Sequence, residues 1–248
     1  MKERLLGFST GAFYKFAPYP KDAVKIIDQL KCNAIEINWH SRKDFPPRNW
    51  KVLKAAKFEK VSLHLPVDCY YTEGFPTTAP ILNRAYKFYL SVSNFSHVVI
   101  HPNLVSDWSD FYLEFDHNWA MPLAIENMDS RKDSFIARYS WEELFNQFPL
   151  LKFVFDVNHY LENGNSIESI PQIISSFAEN LVGIHLSGLG FHKPLFQTAD
   201  PMVVRALRGL DPNIPIILES ICQDRDEAER ELSFVKKHLG NGRRQRFR

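Results

Sequence analysis

Six predicted strands end on a residue that can bind a metal ion. In chain order the endings are Ser62-Leu-His64, Val99-Ile-His101, Ala124-Ile-Glu126, Val154-Phe-Asp156, Gly183-Ile-His185 and Ile217-Leu-Glu219. Imidazole and carboxylate ligands together suit zinc, manganese or iron, and a carboxylate-rich set also admits magnesium. Three carboxylates crowded into one partly buried place would repel one another, and a bound dication removes that cost. We therefore predict a divalent-metal site formed by His64, His101, Glu126, Asp156, His185 and Glu219.

Two more histidines closely follow two of these strand ends. His159 comes three residues after Asp156, and His192 lies in the loop after the seventh predicted strand, Gly188-Leu-Gly-Phe-His-Lys-Pro194. Each could bind an additional metal ion, support a ligand by hydrogen bonding or act as a general acid or base. The candidates for substrate contact near the same face are Lys193, Trp39 and Tyr70.

The elements that must position these residues alternate between strands and helices along the whole chain. The strand candidates are 5–10, 33–38, 60–64, 96–101, 121–126, 151–156, 181–186 and 214–219. Helix candidates are 21–31, 81–93, 140–148, 166–178, 200–208 and 224–239. Ser140 and Glu143 form a capping-box pattern, and Gly240 is positioned to end the last helix. Apolar runs such as His97-Val-Val-Ile100 are typical of parallel strands covered on both faces.

This alternation predicts an α/β fold, and eight repeats favour closure into a single-domain (β/α)8 barrel. The turn Gly7-Phe-Ser-Thr-Gly11 is too sparse in glycine for a phosphate-binding loop, which disfavours a nucleotide-binding open sheet. In a closed parallel barrel all carboxyl ends of the strands open on one face, which would bring the six ligand-type residues together. We expect the barrel to occupy residues 1–239. Residues 240–248, with four arginines and two glycines, are predicted to form a basic flexible tail.

The composition argues against several classes of protein. Thirty basic and 29 acidic residues leave a formal charge of +1, so no strong field favours nucleic acid or an anionic membrane as a partner. The three cysteines, Cys32, Cys69 and Cys222, are far apart and form no Cys-x-x-Cys pattern, which is typical of a protein from a reducing cytoplasm. We find no apolar run of signal-peptide or membrane-spanning length.

At its strand ends the chain resembles the xylose isomerase-like barrel superfamily, which joins sugar isomerases and epimerases with the endonuclease IV class of DNA-repair enzymes. The motifs, in the family's order, are Ser62-Leu-His-Leu-Pro66, His101-Pro102, Ile125-Glu-Asn127, Asp156-Val-Asn-His159, Ile184-His-Leu-Ser187, His192-Lys-Pro-Leu195 and Leu218-Glu-Ser220. The resemblance covers nearly the whole chain. It implies a shared metal centre formed by Glu126, Asp156, His185 and Glu219. His64 and His101 resemble the ligands that complete a second metal in the endonuclease IV branch, with Glu126 bridging, although similar histidines also occur in isomerase-like members.

Two features depart from the endonuclease IV branch. There, His159 and His192 would join an aspartate two residues before the latter to hold a third metal ion, but that position is Gly190 here. In addition, Ser187-Gly188 stands where the repair enzymes carry Asn-Asp. A compact chain also leaves little room for long DNA-gripping loops. These departures count against DNA repair.

Three functions fit these residues. The first is a metal-dependent isomerase or epimerase of a small sugar, polyol or related hydroxy-carbonyl compound, with Glu126 and Glu219 as the base and acid pair and His192 as a further catalytic candidate. The second is endonuclease IV-like hydrolysis of phosphodiesters in DNA by two metal ions, which would require His64 and His101. The third is a barrel that binds a ligand without catalysis. Net charge and the departures after the seventh strand favour the first, with one or two divalent ions (Zn, Mn, Mg or Fe) per chain.

Overall fold

Eight parallel strands close into a barrel in sequence order. The computed structural model describes residues 3–39, 53, 56–68, 70–71, 78–132 and 134–240. The strands are β1 (Leu6–Ser9), β2 (Ala34–Asn38), β3 (Lys60–His64), β4 (Phe95–Ile100), β5 (Leu123–Glu126), β6 (Lys152–Asp156), β7 (Leu181–Leu186) and β8 (Ile216–Leu218). The predicted strands and the (β/α)8 barrel are confirmed, and the strand ends differ from the predicted ones by at most two residues.

Helices separate the strands along the chain. In the described residues they are α1 (Pro20–Gln29), α2 (Thr78–Ser91), α3 (Trp108–Asn118), α4 (Arg138–Gln147), α5 (Val157–Glu162), α6 (Ile170–Ser176), α7 (Leu195–Thr198), α8 (Pro201–Ala206) and α9 (Arg225–Leu239). Each predicted helix is found, although the segment predicted over 166–178 begins as a 3-10 turn at Ile167–Ser169 before α6. The predicted capping box is wrong, because α4 begins at Arg138, ahead of Ser140, and has no side-chain cap. Gly240 does end α9, with φ of 73°, a conformation that favours glycine.

The helices α3, α5 and α7 are not predicted by the sequence pattern. The helices α5 and α7 have six and four residues, too few for the helical period to be recognised. The longer α3 buries only Phe111 and Phe115, so its apolar stripe is a weak signal. Its start depends on Asp107, whose side chain accepts a hydrogen bond from the Asp110 N–H at 3.0 Å.

Strand side chains alternate between the two sides of the barrel wall, and this alternation decides which residues meet at the mouth. Outward residues pack in one large apolar cluster with the buried faces of the helices, among them Ile35, Leu63, Ile125, Phe153, Phe155, Ile184 and Leu218. Inward residues form two small clusters, Val99 with Ala124 and Val154, and Leu5 with Ala34 and Ile217. Two positions further along the same inner side stand Glu36, His101, Glu126, Asp156 and Glu219. These polar residues therefore lie above a layer of inward-facing apolar side chains.

The strands β1 and β2 approach each other closely at Gly7, which pairs with Ala34. A Cβ atom at Gly7 would lie 1.7 Å from the carbonyl oxygen of Ala34. Since backbone cannot yield to such a contact, only glycine fits at this position of the barrel wall.

A buried carboxylate ties α9 to the loops near the barrel mouth. Glu231 in α9 is fully buried and accepts hydrogen bonds from two backbone N–H groups at the start of α7, at 2.9 and 3.2 Å. It also accepts one from Ser220 Oγ. Because α7 follows the loop that carries His192, and Ser220 follows Glu219, the packing of α9 helps to position both candidate site residues.

Some predictions fall outside the described residues. Of the predicted tail at 240–248, only Gly240 is described, and Cys69 is not. Cys32 and Cys222 are buried free thiols. Within the described ranges, no helix combines the length and apolar character needed to cross a membrane.

Candidate active site

The six predicted metal ligands lie together at the carboxyl-terminal mouth of the barrel. Their ligand atoms form two groups, each with all atoms within 4.8 Å of one another: His64, His101 and Glu126 in the first, and Glu126, Asp156, His185 and Glu219 in the second. Glu126 belongs to both groups. Two sets of ligand atoms that share one carboxylate have an arrangement suited to one or two divalent ions.

Glu126 is the centre of this arrangement. Its Oε2 lies 3.3 Å from His64 Nε2 and 3.4 Å from His101 Nε2. Its Oε1 lies 3.2 Å from His185 Nδ1 and 3.5 Å from His159 Nδ1. The two oxygens face different imidazoles, so one carboxylate can serve two neighbouring positive centres.

The second group fits a divalent ion, and the side chain of Asp156 is the reason. Its Oδ1 accepts a hydrogen bond from the His159 N–H at 2.7 Å and caps α5. Its Oδ2 is buried and has no hydrogen-bond partner among the described residues. Such an oxygen costs free energy unless a cation or donor meets it. Glu219 Oε2 also approaches His185 Nδ1, at 3.7 Å, so acceptor atoms surround the point that an ion would occupy.

Asn127 aligns the ends of β5 and β6. Its side-chain amide donates to the Asp156 carbonyl oxygen at 2.9 Å, and its Oδ1 accepts from the Asp156 N–H at 2.8 Å. The Asn127 carbonyl oxygen lies 2.9 Å from His159 Nδ1. These contacts are buried, so they hold Glu126, Asp156 and His159 in register with one another.

The structure adds Glu36, which the sequence analysis does not predict. Glu36 lies in β2, is fully buried and approaches His185 Nε2 with its Oε2 at 3.1 Å. Ser62 Oγ donates a hydrogen bond to the same carboxylate at 2.9 Å. The only signal in the sequence is one charged residue within the apolar run Ala34-Ile-Glu-Ile37. A buried charge in such a run needs a partner, and here the partner comes from a distant strand.

The loop after β7 holds His192 beside His159. Gly190, Phe191 and His192 have φ of 80°, 57° and 53°, a left-handed region that side chains other than glycine adopt rarely and at some cost. Ser187 Oγ lies 3.0 Å from His192 Nδ1, and the two histidine rings lie 5.9 Å apart. His159 and His192 thus flank the two ligand groups but belong to neither among the described residues.

The three predicted substrate contacts differ in access. Trp39 is 1% exposed and belongs to the main apolar cluster, which argues against direct contact with a substrate. Tyr70 is 69% exposed in the loop after β3. Lys193 is exposed, and its backbone oxygen accepts a hydrogen bond from the Gly188 N–H at 2.8 Å. Lys193 and Tyr70 therefore remain accessible at the surface.

Solved structures match this chain over nearly its whole length. D-allulose 3-epimerase from Methylomonas sp. is 15% identical with a TM-score of 0.66, over 96% of this chain and 99% of that chain. Endonuclease IV from Thermus thermophilus is 18% identical with a TM-score of 0.69, over 95% and 98%. A probable 3-DHS dehydratase from Bacillus anthracis is 14% identical with a TM-score of 0.63, over 95% and 98%. The chain therefore shares the barrel fold of these enzymes. No family model and no curated protein matches the sequence.

The carboxylates at the mouth of this barrel differ in how readily they take up a proton. Burial acts to raise the pKa of Glu126, but the neighbouring imidazoles, His185 first, outweigh it and lower the pKa well below its ordinary value. Burial raises the pKa of Glu219, and the charge of His185 opposes this only in part. Burial also raises the pKa of Asp156, to about 6. Glu126 is therefore the group that stays anionic, while Glu219 accepts a proton more easily.

The imidazoles at the mouth also divide into two kinds, those whose pKa is raised and those whose pKa is lowered. Burial acts to lower the pKa of His64, but its hydrogen bond to Glu126 and the charge of that group outweigh burial and raise the pKa to about 9. Burial opposes the charge of His185 as well, yet the surrounding carboxylates, Glu219 first, raise its pKa well above the ordinary value. By contrast, burial lowers the pKa of His101 to about 4. Without metal, protonated His64 and His185 provide the positive charge that Glu126 needs.

Proposed function

We propose that this chain is a metal-dependent isomerase or epimerase acting on a small sugar, polyol or related hydroxy-carbonyl compound. The observation that carries the proposal is the pair Glu126 and Glu219, which lie at the end of β5 and directly after β8 and approach His185 Nδ1 at 3.2 and 3.7 Å. Two carboxylates of unequal proton affinity around one position suit the removal and return of a proton. The D-allulose 3-epimerase and an L-ribulose 3-epimerase among the structural neighbours support this choice.

In this proposal Glu126 removes the proton and Glu219 returns it. The imidazoles keep Glu126 ionised, the form that a base needs at the start of the reaction, whereas the raised pKa of Glu219, caused by burial, lets it carry a proton. A divalent ion held by the second ligand group would supply Lewis-acid stabilisation of negative charge on the substrate oxygens. His192, oriented by Ser187, would hydrogen-bond the substrate or move a second proton. Lys193 and Tyr70, both exposed, would contact the part of the substrate farther from the centre.

The group formed by His64, His101 and Glu126 favours a second candidate function. It would hold a second divalent ion, as expected for hydrolysis of a phosphodiester by an endonuclease IV-like enzyme. The loop after β7 supports the first candidate instead. Ser187 and Gly188 are used there to orient His192 and to pair with Lys193, and Gly190 offers no side chain to a third ion.

Metal content distinguishes the candidates. Zinc, manganese, iron and magnesium would be measured by elemental analysis in the wild type, in a His64→Ala, His101→Ala double variant and in His117→Ala, an exposed histidine on α3 that serves as the control. We expect one ion in all three proteins, and turnover in a screen of ketoses and their epimers. Two ions that fall to about one in the double variant alone would favour the phosphodiesterase and direct assays to abasic DNA. No ion in any protein would favour a barrel that binds a ligand without catalysis.

A further inference from the structure

A line of short contacts leads from the candidate metal centre to an arginine on the rim of the barrel. His159 Nδ1 lies 3.5 Å from Glu126 Oε1, and its Nε2 lies 3.4 Å from Asp129 Oδ2. Asp129 accepts hydrogen bonds from Arg131 Nε at 3.0 Å and from Arg131 Nη2 at 2.5 Å. Contacts between three successive pairs of residues therefore connect Arg131 with Glu126 at the centre of the site.

The guanidinium of Arg131 is hydrogen-bonded to Asp129, yet the side chain is half exposed to solvent. Asp129 is only 1% exposed, whereas the side chain of Arg131 is 50% exposed. The guanidinium lies 5.3 Å from the centre of the Phe191 ring, in the loop that carries His192. Asp129 engages Nε and Nη2, so the edge of the guanidinium that carries Nη1 is free of Asp129. The free edge of the guanidinium is thus positioned in advance by a buried carboxylate and an aromatic ring.

A second cationic side chain, that of Lys193, lies in the loop after β7, which also carries Phe191 and His192. The side chain of Lys193 covers Gly190, and its Nζ would lie 3.6 Å from a Cβ atom at that position. The acidic neighbour Glu162 is engaged by the Gly190 N–H, which donates to it at 2.8 Å. The β5 and β7 loops therefore present Arg131, His192 and Lys193 on one side of the mouth. Arginine and lysine side chains arranged in this way suit phosphate and carboxylate oxygens.

We propose that Arg131, with Lys193 and His192, forms a subsite for an anionic group, a phosphate or a carboxylate, at the far end of a small substrate. This proposal rests on the proposed function for the reaction and adds the class of substrate, an anionic rather than a neutral sugar or polyol. Arg131 would donate paired hydrogen bonds to the anion from its free edge, and Lys193 would add charge. Because Asp129 already orders the guanidinium, little conformational entropy is lost on binding.

The test compares ligands that differ only in the anionic group. Binding of a ketose phosphate, the matching unphosphorylated ketose, a sugar acid and inorganic phosphate would be measured by calorimetry. We expect the wild type to bind the ketose phosphate or the sugar acid at least about 10-fold more tightly than the neutral ketose. In Arg131→Gln this preference should fall by about 10- to 100-fold, the usual loss for charge-assisted hydrogen bonds.

Arg138→Gln is the matched control. Arg138 also pairs with a carboxylate, Glu142 at 2.7 Å, and lies 5.5 Å from an aromatic ring, Phe177, but at the start of α4. Its replacement should leave the preference unchanged. Since Arg131→Gln leaves Asp129 buried without its partner, an Asp129→Asn, Arg131→Gln double variant and Arg131→Lys provide folded alternatives, each checked by thermal unfolding. Arg131→Lys should keep part of the preference, because lysine keeps the positive charge but cannot donate the paired hydrogen bonds of a guanidinium group.

The outcomes separate this proposal from the proposed function. Binding measured in a Glu219→Gln background should retain the preference for the anion even though turnover is lost. Equal binding of the neutral and anionic ligands by the wild type would overturn the subsite. An unchanged preference in every Arg131 variant would also overturn the subsite. Binding of abasic DNA that depends on Arg131, without binding of the small anions, would overturn it as well.

Discussion

Glu36 Oε2 lies 3.1 Å from His185 Nε2 in the interior of the barrel. The other nitrogen of this ring, Nδ1, faces Glu126 and Glu219. A carboxylate that accepts the Nε2 proton leaves the Nδ1 lone pair available, so Glu36 would leave Nδ1 as the atom of His185 that binds an ion. Ser62 holds Glu36 in turn, at 2.9 Å. Strands β2, β3 and β7 therefore cooperate to orient one imidazole.

Glu36→Gln should weaken metal binding. The amide keeps the shape of the side chain but loses the charge that orients and polarises His185, and we expect about a 10- to 100-fold loss of affinity. Competition with a chelator measures the effect. Glu142→Gln, an exposed partner of Arg138, should behave as the wild type. Wild-type affinity in a folded Glu36→Gln protein would contradict this role.

Glu219→Gln should remove turnover while the barrel remains folded. The amide cannot carry a proton and is a weaker ligand, so we expect the rate to fall by about 10²- to 10⁴-fold on the substrate found in the ketose screen. Steady-state kinetics and metal analysis would be done together. Glu229→Gln, in an exposed pair with Arg225 on α9, is the matched control. Full turnover and full metal content in Glu219→Gln would refute the assigned site.

Metal binding should strengthen with pH up to about pH 9. In the metal-free protein burial opposes the charge of His64, but Glu126 raises the pKa to about 9. A divalent ion bound to Glu126 in the second ligand group would repel this proton, so metal binding should release it. Calorimetry at about pH 7 in buffers of different ionisation enthalpy counts the released protons, and His64→Ala should release one fewer. An affinity that does not change between about pH 6 and 9 would contradict the expected coupling.

The same pKa shift predicts how the stability of the metal-free protein varies with pH. The folded-state pKa of His64 lies above the ordinary value of 6.5, so its ion pair with Glu126 stabilises the fold fully below about pH 6.5 and this contribution is lost as pH rises through about 9. Thermal unfolding of the wild type and His64→Ala across this range measures the contribution. The difference between the two proteins should shrink as the pH rises.

Gly7→Ala should destabilise the barrel strongly. A Cβ atom there meets the Ala34 carbonyl oxygen at 1.7 Å, so β1 and β2 must move apart, and we expect a loss of at least about 1–3 kcal/mol in the free energy of unfolding. Gly209→Ala is the control, because a Cβ atom there meets nothing within 4 Å and should change stability by no more than about 0.5 kcal/mol. Chemical denaturation checks both variants.

The ligand-type residues are predictable from the sequence because each is a strand end, and strand ends of a parallel barrel share one face. Glu36 is different. It lies in mid-strand, where a lone acidic residue resembles a position on a polar face, and only the closed sheet brings it to His185, which is 149 residues away. Arg131 is also missed, since an arginine in a loop carries no periodic signal, and its partners Asp129 and Phe191 come from two different loops.

The sequence by itself determined the barrel, the order of its strands and the set of residues that could bind metal, because apolar periodicity and the types of residue at strand ends are local properties. It did not determine which side chains touch. Only the tertiary structure decided that the two oxygens of Glu126 face different histidines, that Glu36 holds one nitrogen of His185 and that Trp39 is buried in the core. These facts depend on register and closure of the sheet, which set distances between residues far apart in the chain.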